Sequence, residues 1–414
     1  MRIDENQRIM ILDAYSYRTL AIVRSWGPRE IKFVVGGTNK YNISLHSKYA
    51  KFKFIYTSPR LSIKKFLKDI NDNISIYDVD YVLPTSEAAI LVLDFFRKEV
   101  NSNLIIPSKR QIENTFNKWN TLKLAKSIGV TIPKTIYINK SNYKEKLKYI
   151  YNLQNSQKPL VFKYTKREYM DLEKDKVIKI PGTTYLSYKS RLEEIEKIII
   201  KKLKIYPELL IQENIVGYGL GIEGIFSKGK EIALFSHKRI REKNPLGGPS
   251  AVAESLCLEE VAIPLEYTKK LVMKLSGEGP LMVEYKIDSR TQKPYLMEIN
   301  GRFWGSILLP MKCGLDFPYL FWKYLTGKNI EEEDKIYRCN IRGRYLLGDI
   351  EWLLRVLYGK KPYWIDYWPS KSMALKQFLM EFFLKNSELL LWDKEDIKPF
   401  LYRIIGYLFG DKNE

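Results

Sequence analysis

Two alternating apolar segments, LMVEYKID (281–288) and YLMEINGR (295–302), are joined by the polar stretch SRTQKP. Two such apolar segments on either side of a polar turn predict an antiparallel β-hairpin. In a strand, residues two apart share a face. Glu284, Lys286 and Asp288 therefore project together, as do Glu298, Asn300 and Arg302. Neighbouring strands lie about 4.8 Å apart, so a suitable register brings Glu284 and Glu298 side by side. Two carboxylates and an amide oxygen are hard ligands of the kind Mg²⁺ takes together with substrate phosphates. The alternative is a pair of acids solvated on an edge hairpin. It leaves unexplained why Glu298 and Asn300 sit among apolar neighbours in YLMEINGRFWG, next to two glycines.

Two lysines and a short acidic–amide run extend this constellation. Lys163 is the first polar residue after the apolar PLVF, where a strand reaches the surface. Lys118 opens a helix beside Trp119, within a helical pattern over 112–128 that Gly129 stops. A lone lysine is most often a solvated charge. Beside a carboxylate pair, two lysines can neutralise phosphate oxygens that a metal bridges. Gln212, Glu213 and Asn214 end the strand ELLIQEN ahead of Gly217, as a hinge that could meet an adenine edge. Arg239 and Arg241 are either phosphoryl-stabilising cations or a surface basic cluster.

The remainder reads as alternating elements. RIMILDA, a helix over 17–26, IKFVV, DYVLPT and the helical SEAAILVLDFFRKE predict a parallel sheet flanked by helices. Its first turn, DAYSYRT, lacks the glycines that a dinucleotide pyrophosphate requires. Residues 220–240 form another hairpin across SKGK, followed by the polar loop REKNPLGGPSA and a helix over 265–275. The tail from EEED (331–334) onward carries Trp, Tyr and Leu at helical spacing. The stripes FWKYL, WLLRVLYGKKPYW and KQFLMEFFLKN are read as core.

The chain has 69 basic and 48 acidic residues, a net charge of +21 over 414 residues. The excess is concentrated in residues 111–206, with 21 basic and 9 acidic groups. This is read as a lysine-rich solvated surface, because nothing resembles an RNA- or DNA-binding motif and no nucleic acid is expected. Cys257, Cys313 and Cys339 lie far apart with no CxxC pair, which argues against a disulfide framework or a zinc site. Cys257 and Cys313, with no activating His or Asp spacing, are read as buried structural thiols. With His46 and His237 as the only histidines, His-rich metal chemistry is excluded, and His237 is read as structural. No apolar run approaches the roughly 18 residues of a membrane span. The N-terminus lacks a signal peptide, so a cytoplasmic chain is expected.

In these motifs the chain resembles the ATP-grasp superfamily of ATP-dependent carboxylate–amine ligases. The closer likeness is to a predicted carboligase group of undefined substrate. It is carried by ILDAYSYRTLAIVRSWG, SHKRIREKNPLGGPSAVAES, MVEYKID, YLMEINGRFWGS and IRGRYLLGD. The resemblance implies an α/β and α+β architecture. A Rossmann-like pre-ATP-grasp domain would cover 1–110, a first ATP-grasp subdomain with its lid 111–206, and a second with the metal site 207–330. A mostly helical extension would cover 331–414. It further implies that Lys118 and Lys163 contact ATP phosphates and that Gln212, Glu213 and Asn214 line the adenine site. Glu284, Glu298 and Asn300 would hold Mg²⁺, with two ions expected and Mn²⁺ an alternative. Arg302 would face the reacting phosphoryl group, with Arg239 or Arg241 supplying further positive charge. The substrates would be a small-molecule carboxylate and an amine, and an oligomer is compatible. Three features depart from relatives: the lid YTKREYMDLEKDKVIKIPGTTY has Gly182 alone, GYGLGIE offers only Glu223 near the ribose, and Met282 stands two residues before Glu284, where some ligases carry an arginine. Phosphotransfer that stops at a phosphorylated product remains an alternative. So does a non-catalytic nucleotide-binding module whose basic face meets a polyanion or membrane surface.

Overall fold

The apolar triplet Ile9–Ile11 is buried at every position, as a strand covered on both faces must be. This strand, β1, is the centre of a parallel sheet in the order β3-β2-β1-β4-β5. The others are β2 (Phe33–Gly37), β3 (Lys53–Ile55), β4 (Tyr81–Leu83) and β5 (Asn103–Leu104). The crossovers are α1 (Tyr17–Trp26), α2 (Ile63–Tyr77) and α3 (Glu87–Phe95), each opened by a serine N-cap: Ser16, Ser62 and Ser86. The computed structural model describes residues 2–154, 159–362 and 368–409.

The helical pattern at 112–128 resolves into two helices, α4 (Lys109–Thr115) and α5 (Lys118–Ser127). The side chain of Asn117 accepts from the N–H groups of Trp119 and Asn120. That cap starts a new helix and puts Lys118 in its first turn. A second sheet, in the order β10-β7-β11-β6, follows. It comprises β6 (Thr135–Asn139), α6 (Tyr143–Gln154) and β7 (Leu160–Tyr164). The hairpin β8 (Glu168–Asp171) and β9 (Lys176–Lys179) then precedes β10 (Thr184–Leu186), α7 (Leu192–Ile205) and β11 (Glu208–Glu213). The glycine-poor lid segment is thus itself a hairpin, and it is strapped to the first sheet domain. Arg60 pairs with Glu168, and the carboxylate of Asp175 accepts from Lys64 N–H and Ser62 Oγ at the start of α2.

The third sheet runs β16-β15-β12-β13-β14-β17-β18. Its strands are β12 (Gly217–Ser227), β13 (Lys230–Glu242), β14 (Ser250–Leu256), β15 (Gly279–Asp288), β16 (Pro294–Asn300), β17 (Arg342–Arg344) and β18 (Ser387–Leu389). Helix α8 (Ala262–Leu275) packs on it, and α9 (Leu308–Cys313) and α10 (Phe317–Thr326) follow β16. Residues 331–414, read as mostly helical, supply β17 and β18 as well as α11 (Leu346–Tyr358), α12 (Lys371–Met380) and α13 (Lys398–Phe409). Among the described residues, no helix is long and apolar enough to cross a membrane.

The cysteine reading is corrected. Cys257 and Cys339 form a disulfide across 82 residues of sequence, and Cys313 alone is a buried free thiol. Pairing of β14 with β17, Glu254 opposite Arg342, brings the two cysteines to neighbouring strand ends. Such a long-range pairing leaves no trace in cysteine spacing.

Candidate active site

The predicted hairpin forms in the register that its chemistry needs, with Glu284 opposite Glu298 and Met282 opposite Asn300. A register shift follows Glu284, leaving Met297 without a partner on β15. Met297 instead lies against the second sheet, where its sulfur is 3.9 Å from Lys163 Nζ. The acids of the third sheet and Lys163 of the second thereby share one cleft. Lys118 Nζ lies 3.3 Å from Glu298, and its backbone N–H bonds Thr165 O at 2.7 Å, which ties the start of α5 to the end of β7. Asn300 donates to Glu284 at 2.8 Å.

Arg239 is brought in from β13. It crosses β12 to pair with Glu284, and it does so over Gly219, where a Cβ would stand 2.7 Å from its Cδ. Gly221 is constrained the same way by His237 Cε1, 2.6 Å from where its Cβ would be. The glycines of GYGLGIE therefore make room for side chains of β13 on the site face. Glu223 of the same run is fully buried, with Ser306 Oγ at 2.6 Å and His237 Nδ1 at 3.1 Å. It is thus removed from any ribose.

Arg241 is corrected. A register shift between Arg239 and Arg241 sends the second arginine away from the cleft. There it is buried against Asp349 (2.8 Å) and Glu381 (3.4 Å) of the C-terminal segment. It is a structural cation, and nothing places it on a reacting group.

Two residues that the sequence reading missed complete the cluster. Arg167, at the start of the lid hairpin, pairs with Glu298. Glu87, the first residue of α3, accepts from Arg302 at 2.6 Å and joins the first domain to the end of the hairpin. Both are signalled only weakly, as one charge in a basic lid and one acid after a serine cap. Asp13 holds this junction: it accepts from the N–H groups of Thr85 (2.8 Å) and Ser86 (2.7 Å). Arg18 lies beside Arg302 and donates to Thr85 O. The Nε atoms of both arginines are buried without a partner among the described residues. At the hinge, Gln212 donates to Thr135 Oγ1 and Glu213 accepts from Lys134 N–H, both at 2.8 Å, while Asn214 follows β11 half-buried.

The charges are strongly coupled. Burial by itself would raise the carboxyl of Glu298, but Arg167, Lys118 and Lys163 outweigh it and hold it far below the usual range. Burial is the largest influence on Lys163 and lowers its ammonium to about 8. Glu298 and Glu284 oppose this, while Lys118 and Lys286 add to it. Burial, then the neighbouring Arg302, lowers Arg18 to about 9.

The Lys163 shift carries a pH prediction. A bound polyphosphate favours the ammonium form, so above pH 8 binding must take up a proton. ATP affinity should fall as pH rises from about 8 toward the ordinary lysine range. Lys163→Arg, charged throughout, should flatten that profile. Calorimetry in two buffers of different ionisation heat, on both sides of pH 8, checks this. A parent profile without proton uptake would remove Lys163 from the phosphate site.

A family model described as "ATP-grasp in the biosynthetic pathway with Ter operon" matches residues 206–343. In three dimensions the chain is similar to N5-carboxyaminoimidazole synthetase from Staphylococcus aureus. The TM-score is 0.58 at 13% identity, covering 80% of this chain and 81% of that one. The chain has the ATP-grasp fold. L-amino acid ligase from Bacillus licheniformis shares the ATP-grasp architecture with a TM-score of 0.59 at 15% identity, over 82% of this chain and 79% of its own. Biotin carboxylase from Campylobacter jejuni, in complex with a nucleotide, does so with a TM-score of 0.62 at 16% identity, over 81% and 74%. Comparison with curated protein sequences finds no match. Within this ATP-grasp frame, the acids and lysines described above face each other across the cleft between the second and third sheets.

Proposed function

We propose that this chain is an ATP- and Mg²⁺-dependent ligase that joins a carboxylate to an amine through an acylphosphate. The observation that carries the reading is the convergence of Glu284, Glu298 and Asn300 of the third sheet with Lys163 of the second sheet and Lys118 of the first turn of α5. The donor set fits the metal: two carboxylates and an amide oxygen, whose charge is balanced in this structure by Arg239, Arg167 and Lys118. Glu284, Glu298 and Asn300 would hold Mg²⁺, which would supply positive charge against the phosphates. Lys118 and Lys163 neutralise the polyphosphate, and Gln212, Glu213 and Asn214 line the adenine end.

The unpartnered Nε atoms of Arg18 and Arg302 give the substrate carboxylate its place, at the junction of the first domain with the hairpin. The substrate carboxylate attacks the γ-phosphorus, the bond to the β-phosphate bridging oxygen breaks, and ADP leaves. The amine then attacks the acyl carbon, the acyl C–O bond breaks, phosphate departs and the amine loses its proton. Arg302 and Arg239 stabilise charge as it shifts among the phosphoryl oxygens.

The test is ADP release from Mg-ATP with pooled carboxylates crossed against pooled amines. ADP formation that needs one pool of each kind supports the ligase. ADP formation with a single pool and no amine would replace it by phosphotransfer. ATP binding by calorimetry with no ADP from any pair would favour a non-catalytic nucleotide-binding module.

A further inference from the structure

Of the three tail stripes read as core, FWKYL does become core: Phe321, Trp322 and Leu325 of α10 are buried. KQFLMEFFLKN does not. Helix α12 touches the rest of the molecule along one stripe, Ala374, Phe378 and, just past its end, Glu381. The rest of its circumference is exposed and carries Leu375, Leu379 and Met380, exposed by 46%, 48% and 48%, while Phe383, in the turn that follows the helix, is exposed by 77%. A helix on a globular surface normally turns its apolar side inward; α12 leaves most of its apolar side chains in solvent, interspersed with Lys371 and Lys376. Its partner α11, joined to it through Trp352, Val356 and Ala374, adds Leu354 and Tyr358, exposed by 46% and 81%. Exposed apolar side chains gathered on two packed helices mark an interaction site.

We propose that the outer face of α11 and α12 docks the protein on an anionic lipid bilayer surface. Charge selects that occupant. Lys360, Lys371, Lys376 and Lys385 are exposed around the apolar residues. Among the described residues of 350–385 the acids are Glu351 and Glu381. The first is tied to Arg355, and the second is buried between Arg241 and Arg342. Among the described residues of this segment the exposed unpaired charge is therefore of one sign. Apolar residues rimmed by lysine are the composition of interfacial helices, which sink the apolar face to the headgroup boundary. A second copy of the chain would set lysines against lysines across the same face.

The test uses the full chain and two vesicle types, phosphatidylcholine alone and phosphatidylcholine mixed with phosphatidylglycerol. Cosedimentation is expected with the mixed vesicles and not with the neutral ones. The combined variant Leu375→Ser, Leu379→Ser, Phe383→Ser should lower the bound-to-free ratio at least about tenfold. Lys371→Gln, Lys376→Gln, Lys385→Gln should lower it by about fivefold per lysine. These positions are exposed, so unchanged melting and ATP calorimetry verify that the variants are folded. Three results would overturn the proposal: no binding to mixed vesicles, binding that both variants leave intact, or a dimer abolished by the apolar variant without vesicle binding. The last would assign the face to a second copy of the chain.

Discussion

Glu298→Gln is expected to lower ADP release by at least about a thousandfold, the scale seen when a group that stabilises phosphoryl charge is removed from a water-poor site. Glu298 is 14% exposed and receives Lys118 and Arg167 directly, with Lys163 close enough to depress its titration. Among the described residues it is the acid on which Arg167, Lys118 and Lys163 all act. The substitution keeps the shape of the side chain but removes the charge that would hold a metal between them. ATP itself should still bind, because the cations that meet the polyphosphate remain and lose a competitor. The expected signature is therefore turnover lost with ATP affinity retained and Mg²⁺ dependence abolished. Single-turnover ADP release, a Mg²⁺ titration and ATP calorimetry on the same preparation check it. Turnover within tenfold of the parent would remove Glu298 from the metal site.

Asp349→Ala is expected to destabilise the chain by about 3–5 kcal/mol, the cost of leaving buried cations without their partner. Asp349 is fully buried and accepts from Arg241 at 2.8 and 3.0 Å and from Arg344 at 2.7 Å. Both arginines are almost fully buried, so neither can recover water when the carboxylate is gone. For a chain of this size the change corresponds to a fall in Tm of about 4–6 °C. ATP affinity should change by less than about twofold, because the network lies on the far side of β13 from the cleft. Thermal melts and calorimetry together decide the role of Arg241. A variant of normal stability with lost turnover would return Arg241 to the reacting groups.

The parts of this molecule that period and punctuation encode were legible in the residues alone. The hairpin 281–302 announces itself by two apolar segments across a polar turn, while the pairing of Glu284 with Glu298 was one register among those the faces allow, and the folded strands adopt it. The first helix, Tyr17–Trp26, matches its pattern end to end because Ser16 caps it and Gly27 closes it. Lys163 was found because it ends an apolar run, and Lys118 because it begins a helix.

What stayed hidden depends on contacts between segments far apart in the chain. The lid gave no signal of being a hairpin strapped to α2, since Arg60 and Glu168 are 108 residues apart. Arg239 and Arg241 look equivalent at a spacing of two. A local shift in strand register gives one to the cleft and the other to Asp349. Cys257 and Cys339 meet only because β14 pairs with β17. The stripe in α12 has the composition of a core helix, and only its docking through Ala374, Phe378 and Glu381 turns it outward. Local sequence sets which backbone conformation is cheapest and which faces are apolar. Which faces and charges end up opposite one another is a property of the folded chain, because those energies exist only once distant segments are in contact.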